Sequence, residues 1–193
     1  MFTGIVESIG TVIALNNDIL EIESDNSNFS KLKIGTSIAI DGCCLTLKHY
    51  ENDNLFFQVS DETFSRTSLN DSHCGFVNME LPLTMESLLS GHLVQGHVDG
   101  VVKLSKIEKL ENELWNFTFK NAREKYIVDK GSITINGISL TVVNPIEDKF
   151  SVAIIEETYS KTNLKHLNVD DYVNVEYDIV IKYLEKLNYD YWY

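Results

Sequence analysis

The chain has 193 residues, enough for one large domain or for two domains of about 100 residues each. Its 29 acidic and 16 basic residues give a formal net charge of −13, which argues against binding to a nucleic-acid phosphate backbone. The apolar fraction of 44% and mean hydropathy of −0.10 are ordinary for a globular protein, and no segment has the pattern of a membrane span or signal peptide, so we expect a cytoplasmic protein.

Short segments with apolar residues at every second position predict β-strands along most of the chain. In chain order they fall at 9–14, 19–22, 38–40, 45–47, 55–59, 115–119, 133–135, 140–142, 150–154 and 172–177. Asp41-Gly42 and Asn136-Gly137 lie between predicted strands and are typical of tight hairpin turns. About six short strands per half predict a small closed antiparallel barrel in each half.

Two segments indicate helix instead. Residues 85–89 are compatible with a short helical turn between the domains, and residues 179–187 carry an apolar stripe. The stripe consists of Val180, Tyr183, Leu184 and Leu187. From the pattern, this helix either packs on its own domain or pairs with the same helix of other subunits, and both alternatives stay open.

The two halves of the sequence repeat each other. With an offset of 95 residues, SIAIDGCCLTL at Ser37 aligns with SITINGISLTV at Ser132, and twelve of the 34 pairs that begin at Thr36 are identical. Weaker matches flank this region, at GIV against GHV (4–6 against 96–98) and at VNME against VNVE (77–80 against 173–176). The sequence therefore predicts two homologous domains.

Strand periodicity separates the two adjacent cysteines, because successive side chains point to opposite faces. Cys43 shares a face with apolar residues and aligns with Ile138, so we expect it in the core. Cys44 aligns with Ser139 on the other face, which is either the wall of a polar pocket or a surface in contact with solvent. With Cys74 as the third cysteine and no CxxC spacing, the sequence predicts no zinc site and no disulfide.

The segment GHLVQGHVDG (91–100) places two histidines five residues apart, which does not match the HxxxH spacing of a helical metal site. Each histidine is either a hydrogen-bonded structural residue or a functional one. The Glu-Thr pairs at 62–63 and 157–158 are interpreted as the ends of paired strands, with capping or turn chemistry as the alternative explanation. No phosphate-binding loop or dinucleotide fingerprint is present.

These motifs, with MFTGIVE at the N-terminus and KGSITINGISLTV in the second repeat, resemble the riboflavin synthase family along essentially the whole chain. The resemblance implies an all-β fold of two tandem six-stranded antiparallel Greek-key barrels followed by a C-terminal amphipathic helix. The corresponding domains are 1–86, 87–178 and 179–193. Each barrel is expected to bind one 6,7-dimethyl-8-ribityllumazine, without cofactor or metal.

In that family, one lumazine gives a four-carbon unit to the other, which yields riboflavin and 5-amino-6-ribitylaminouracil. The resemblance implies a homotrimer built through the C-terminal helices, with each active site between barrels of neighbouring subunits, and lumazine synthase as a candidate partner. A non-catalytic lumazine-binding antenna protein is the alternative; the survival of both pocket motifs in this sequence favours the enzyme.

The resemblance also assigns site residues. The first-barrel pocket is expected to contain Gly4, Ile5, Val6, Cys44, Leu45, Thr46 and a strand formed by Gln58, Val59, Ser60, Asp61, Glu62 and Thr63. The second-barrel pocket is expected to contain Gly96, His97, Val98, Lys130, Ser139, Leu140, Thr141 and a strand formed by Ala153, Ile154, Ile155, Glu156, Glu157 and Thr158. The expected catalytic residues are Phe2, Cys44, His97, Ser139, Thr141 and Asp178, with His97 as a proton relay and Phe2 acting through shape.

One position departs from the family pattern. Where relatives commonly have Ile-Pro, this chain has Ile155-Glu156. We expect a carboxylate at Glu156 to disfavour an apolar contact with a ligand ring if its side chain is buried in the pocket wall.

Overall fold

The first half of the chain forms a closed antiparallel barrel in the computed structural model, which describes residues 1–29, 31–71, 75–111 and 113–190. Its strands are β1 (Ser8–Asn16), β2 (Ile19–Glu23), β3 (Ser37–Ile40), β4 (Cys43–Glu51), β5 (Asn54–Gln58) and β6 (Phe76–Glu80). Their order around the barrel is β1-β2-β5-β4-β3-β6. The side chains of Leu20, Ile22, Ile38, Leu47 and Phe57 fill the interior.

The second half repeats this arrangement. Its strands are β7 (Gly100–Lys109), β8 (Trp115–Lys120), β9 (Ser132–Ile135), β10 (Ile138–Ile146), β11 (Lys149–Ile154) and β12 (Tyr172–Tyr177). They close in the equivalent order, β7-β8-β11-β10-β9-β12, around Val102, Leu104, Phe117, Phe119 and Ile133. The predicted fold class, two homologous six-stranded antiparallel barrels and a C-terminal helix, is confirmed.

The described residues include three α-helices beside the barrels. They are α1 (Asp61–Arg66), α2 (Glu156–Lys161) and α3 (Ile179–Asp190). Two predictions about these regions are wrong: the strands expected at 58–63 and 153–158 end at Gln58 and Ile154, and α1 and α2 follow them. Residues 85–89 form no helix, and the chain there makes a turn in which the Ser87 N–H donates to the Thr84 carbonyl.

The C-terminal helix α3 lies beside the second barrel, where Ile181 packs against the apolar core. The residues of the predicted stripe take no part in this packing. Val180, Tyr183, Leu184 and Leu187 are all more than half exposed. The part of the predicted C-terminal segment at 191–193 lies outside the described residues. None of the described helices is both long and apolar enough to cross a membrane.

The hairpin turns at Asp41-Gly42 and Asn136-Gly137 meet at the centre of the molecule. A Cβ placed on Gly42 would lie 2.8 Å from the Gly137 backbone nitrogen, so only glycine permits this approach. Asp41 and Asn136 are themselves buried and have positive φ angles of 45° and 44°. The repeat therefore places one Asp and one Asn at equivalent positions across the barrel interface.

Two asparagines connect these turns. The Asn78 side chain donates to the Asn136 carbonyl at 2.9 Å, and the Asn174 side chain donates to the Asp41 carbonyl at 2.9 Å. Because Asn78 lies in β6 and Asn174 in the equivalent β12, each barrel contributes one bond. Buried amides that are fully hydrogen-bonded favour one relative orientation of two packed units, so this network fixes how the barrels meet.

Candidate active site

The N-terminal segment (residues 2–6) lies between the barrels, and its Gly4 and Val6 contact the second one. The Ser139 N–H donates to the Gly4 carbonyl at 2.8 Å, and Val6 packs against the apolar core of the second barrel. Gly4 has a φ of +77°, and a Cβ on it would lie 2.6 Å from the Ser139 Cβ. The contact therefore requires glycine at this position.

The linker segment (residues 94–98) is the equivalent part of the second repeat, and it lies against the first barrel. The Cys44 N–H donates to the Gly96 carbonyl at 2.8 Å, and Val98 is part of the first-barrel core. Gly96 has a φ of +80°, and a Cβ on it would lie 2.7 Å from the Cys44 Cβ. Each barrel is thus completed by a segment from the other repeat.

The two segments also pair with each other through Phe2. Phe2 and Val94 form an antiparallel bridge, with N–H to carbonyl distances of 2.8 and 3.1 Å. The Phe2 side chain is fully buried, and its ring approaches both Gly96 and the partly buried Cys44. Phe2 therefore orders both segments at once, which agrees with a role through shape.

The first-barrel pocket has a volume of about 430 Å³. It is lined by Cys43, Cys44, Glu62, Thr63, Arg66, Thr67, Gln95, Gly96, His97, Val98, Asp99, Ile179 and Lys182. These residues belong to β4, to α1 and its C-cap Thr67, to the linker segment with the adjacent Asp99, and to α3. The C-terminal helix therefore contributes to the wall of a pocket in the first barrel.

The two cysteines of this pocket differ in their surroundings. Cys43 is buried in the first-barrel core, as predicted, and burial is the main cause that raises the pKa of its thiol to about 12. Cys44 is partly exposed on the pocket side. Both are free thiols, whereas Cys74 lies outside the described residues.

Ser139 occupies the equivalent place in the second barrel, where its hydroxyl lies beside an imidazole. The Ser139 Oγ is 2.7 Å from His92 Nδ1, and the other ring nitrogen is 3.1 Å from Thr134 Oγ1. Burial lowers the pKa of His92, and the negative charge of Asp178 opposes this shift. A neutral imidazole between two hydroxyls can accept a proton from one side, so Ser139 has a potential base in contact.

The short helices α1 and α2 begin where the predicted strands end. Ser60 caps α1 by accepting a hydrogen bond from the Thr63 N–H at 3.2 Å, and Thr63 reaches the pocket. The Glu-Thr pairs thus lie in the first turns of α1 and α2; a side-chain cap is present at α1, whereas Ile155 at the start of α2 makes no such bond.

Comparison with known proteins agrees with this duplicated architecture. The family model described as the lumazine binding domain matches twice, at residues 3–81 and 95–178. Riboflavin synthase of Photobacterium leiognathi is 38% identical over 97% of this chain and 88% of its own length. Riboflavin synthase of Actinobacillus pleuropneumoniae is 35% identical over 96% of this chain and 89% of its own length.

The chain belongs to the riboflavin synthase family. Among solved structures, LumP complexed with 6,7-dimethyl-8-(1'-D-ribityl) lumazine superimposes with a TM-score of 0.80 at 26% identity, covering 91% of this chain and 98% of that one. The similarity thus extends over both barrels.

Within this riboflavin synthase fold, the predicted grouping of the glycine segments is wrong. Gly4, Ile5 and Val6 were expected in the first-barrel pocket and Gly96, His97 and Val98 in the second, but the contacts described above place them the other way round. The reason is that each segment crosses to the neighbouring barrel before its own barrel begins. A repeat shows which residues are equivalent, but not which copy they touch.

The remaining predicted site residues fall into three groups. Those partly exposed are Cys44 and Thr63, which line the first-barrel pocket, and Ser139, Leu140 and Thr158. Those exposed are Ile5, Thr46, Gln58, Ser60, Asp61, Glu62, His97, Lys130, Thr141, Ala153, Ile155, Glu156 and Glu157. Those buried are Gly4, Leu45, Val59, Gly96, Val98 and Ile154.

Glu156 and Asp178 have identifiable local roles. Glu156 is exposed in the first turn of α2 and accepts a hydrogen bond from Trp115 Nε1 at 3.1 Å, so it is not a buried carboxylate. Asp178 accepts a hydrogen bond from the Val180 N–H at 2.9 Å at the start of α3, and its charge also acts on His92. Asp178 therefore connects the helix start to the second-barrel site.

The sequence analysis missed three residues of the site. The sequence analysis gave His92 no function, although its Nδ1 lies within hydrogen-bond distance of the Ser139 hydroxyl. Glu80 and Glu176, the last residues of the VNME and VNVE matches, hold the crossing segments in place. Their recurrence in the repeat was the available signal.

Proposed function

We propose that this protein catalyses the dismutation of two 6,7-dimethyl-8-ribityllumazine molecules into riboflavin and 5-amino-6-ribitylaminouracil. The observation that supports this function is the presence of the same parts in both barrels: a polar residue on the hairpin strand, a crossing glycine segment, and a helix start. Cys44 with Gly96 and Thr63 forms one set. Ser139 with Gly4 and Thr158 forms the other.

Two similar pockets suit a reaction in which one compound plays two roles. One lumazine loses a proton from its 7-methyl group, and the other accepts a nucleophile at its ring. The four carbons that leave the donor enter the acceptor, so the two products together contain all the atoms of the two substrates and no external oxidant is required. Holding the two rings in contact supplies a large part of the rate enhancement through proximity.

The proton transfers are assigned to side chains of the two pockets. Ser139 contacts the neutral His92 ring, which can hold a proton that the Ser139 hydroxyl relays. His97 is exposed at the mouth of the first-barrel pocket, where it is available to a bound ligand. Cys44 and Thr141 are assigned to ligand orientation on the two pocket faces.

We also propose a homotrimer built through α3. The stripe of Val180, Tyr183, Leu184 and Leu187 is more than half exposed in the single chain and needs a partner surface. Ile179 and Lys182 of the same helix line the first-barrel pocket. Assembly through this helix would bring a first-barrel pocket close to the second barrel of a neighbour. Lumazine synthase as a partner and a cytoplasmic location stay predictions.

The competing function is non-catalytic lumazine binding. Non-catalytic binding would be favoured if only one pocket bound ligand. The presence of the same parts in both barrels favours two functional pockets. Incubation of the purified protein with 6,7-dimethyl-8-ribityllumazine, followed by riboflavin absorbance, separates the two functions. Turnover supports the synthase, and stoichiometric binding without product supports the alternative.

Two variants test the assigned groups. His97→Ala and Ser139→Ala each remove a group that handles a proton, and we expect kcat to fall by about 10²–10⁴-fold. Ser105→Ala removes a hydroxyl that bonds the Thr118 carbonyl on the wall of the second barrel, and it serves as the control. Undiminished rates in both pocket variants would contradict the proton-transfer roles of His97 and Ser139 but not the proposed reaction.

A further inference from the structure

Glu176 is a buried carboxylate whose oxygens face backbone donors of the linker segment. Its Oε1 accepts a hydrogen bond from the Gln95 N–H at 2.7 Å. Its Oε2 accepts bonds from the Gly96 and His97 N–H groups, both at 2.9 Å. The side chain is 3% exposed, so water does not compete effectively for these bonds.

These three bonds act directly behind the first-barrel pocket. Gly96 and His97 line that pocket, and the Gly96 carbonyl accepts the Cys44 N–H. Glu176 itself lies in β12 of the second barrel. A residue of one barrel therefore sets the backbone position of the residues that complete the pocket of the other.

A cation supports this carboxylate. Burial raises the pKa of Glu176, while the three backbone donors and the positive charge of Lys182 favour its ionised form. Lys182 also forms an ion pair with Asp99 at 2.5 Å, and the Asp99 carboxylate accepts the Tyr177 N–H at 2.9 Å. The linker segment is thus fixed from β12 and from α3 together.

The same arrangement occurs a second time. Glu80, at the equivalent place in β6, accepts hydrogen bonds from the Thr3 N–H at 2.6 Å and the Gly4 N–H at 3.0 Å. Gly4 in turn accepts the Ser139 N–H in the second barrel. The same carboxylate contact therefore holds the crossing segment in each repeat.

We propose that Glu176 is a positioning residue that holds the linker segment, and with it His97, in the geometry that binds ligand in the first-barrel pocket. This role rests on the proposed function and extends it to a residue outside the pocket lining. Glu176→Gln retains the shape but replaces one acceptor oxygen by an NH₂ group. Both carboxylate oxygens of Glu176 accept backbone N–H groups, so the NH₂ group of Gln would face an N–H donor and at least one hydrogen bond would be lost.

Cys44 provides a local readout, because ligand in the first-barrel pocket should shield its thiol. The rate of Cys44 alkylation by iodoacetamide is measured against riboflavin concentration, with the modified position located by mass spectrometry. We expect the riboflavin concentration that half-protects Cys44 to rise at least tenfold in Glu176→Gln, and by a smaller factor in Glu176→Asp, which keeps the charge but shortens the reach. Glu108→Gln changes a partly exposed glutamate on β7 that pairs with Lys106, and it should match the wild type.

A folded Glu176→Gln protein with wild-type protection of Cys44 would overturn the proposal. Hydrogen exchange of the Gly96 and His97 amides in the unmodified protein gives a second measurement that does not depend on a variant folding. We expect both amides to be protected, and exchange at the rate of an unfolded chain would also overturn the proposal. If riboflavin fails to protect Cys44 in the wild type, the proposed function fails, and the amide exchange still decides the role of Glu176.

Discussion

Replacing Asp41 by Asn should remove a large pH dependence of stability. Asp41 is buried at the barrel interface, and its Oδ1 accepts hydrogen bonds from the Asn78 N–H at 2.7 Å and the Asn163 side chain at 3.0 Å. Burial raises the pKa of Asp41 from 3.8 to about 8. An Asn side chain keeps the accepting oxygen but cannot ionise, and Asn136 already occupies the equivalent position in the second repeat.

The size of the effect follows from proton linkage. Between the unfolded pKa of 3.8 and the folded pKa of about 8, the folded state binds one proton more than the unfolded state at Asp41. The free energy of unfolding therefore falls as pH rises, by up to about 1.4 kcal/mol per pH unit. Between pH 5 and pH 7 the wild type should lose about 2.7 kcal/mol relative to Asp41→Asn. The stabilising contribution is complete below pH 3.8 and is lost once pH exceeds about 8.

The assay is urea unfolding of both proteins at a series of pH values. Protein concentration must be equal, because association of subunits also contributes to apparent stability. Other titrating groups, including Glu80 and Glu176, are common to both proteins and cancel in the difference. A difference in unfolding free energy that stays constant from pH 5 to pH 7 would refute the assignment of a protonated Asp41 to the interface.

Three further predictions concern the pocket and the assembly. Gly96→Ala should reduce riboflavin formation, because the added Cβ would overlap Cys44. Gly35 also has a positive φ, of 92°, but no described atom lies within 4 Å of a Cβ placed on it, so Gly35→Ala should cost only about 1–2 kcal/mol of stability and leave turnover intact. Equal activity of the two variants would contradict this prediction. Leu184→Glu should convert the proposed trimer to monomers in light scattering after size-exclusion chromatography, and an unchanged mass would remove α3 from the interface. Iodoacetamide should modify Cys44 in the native protein and Cys43 only after unfolding, and equal rates would contradict the burial of Cys43.

Strand periodicity predicted the barrel strands because the alternation of apolar side chains is a property of neighbouring residues, and the internal repeat indicated that the same fold occurs twice. The alternation around Cys43 and Cys44 correctly assigned Cys43 to the core and Cys44 to the opposite face, and the structure shows that Cys44 lines a pocket. Periodicity predicted strands at 55–59 and 150–154, close to the observed Asn54–Gln58 and Lys149–Ile154. The strands expected from the family resemblance at 58–63 and 153–158 are wrong, because the chain there enters α1 and α2. The change of structure there depends on caps such as Ser60, whose bond to the Thr63 N–H is a local signal that the strand interpretation overlooked.

The duplicated barrel fold, the equivalence of Cys44 with Ser139, and the resemblance to riboflavin synthase could all be recognised in the sequence. The three-dimensional contacts were needed to show which segment completes which pocket, that His92 contacts Ser139, and that Glu80 and Glu176 hold the crossing segments. This difference arises from distance along the chain. Periodicity and turn chemistry act over a few residues, whereas the bonds that assemble the pockets join residues far apart in sequence, such as Gly4 with Ser139 and Cys44 with Gly96.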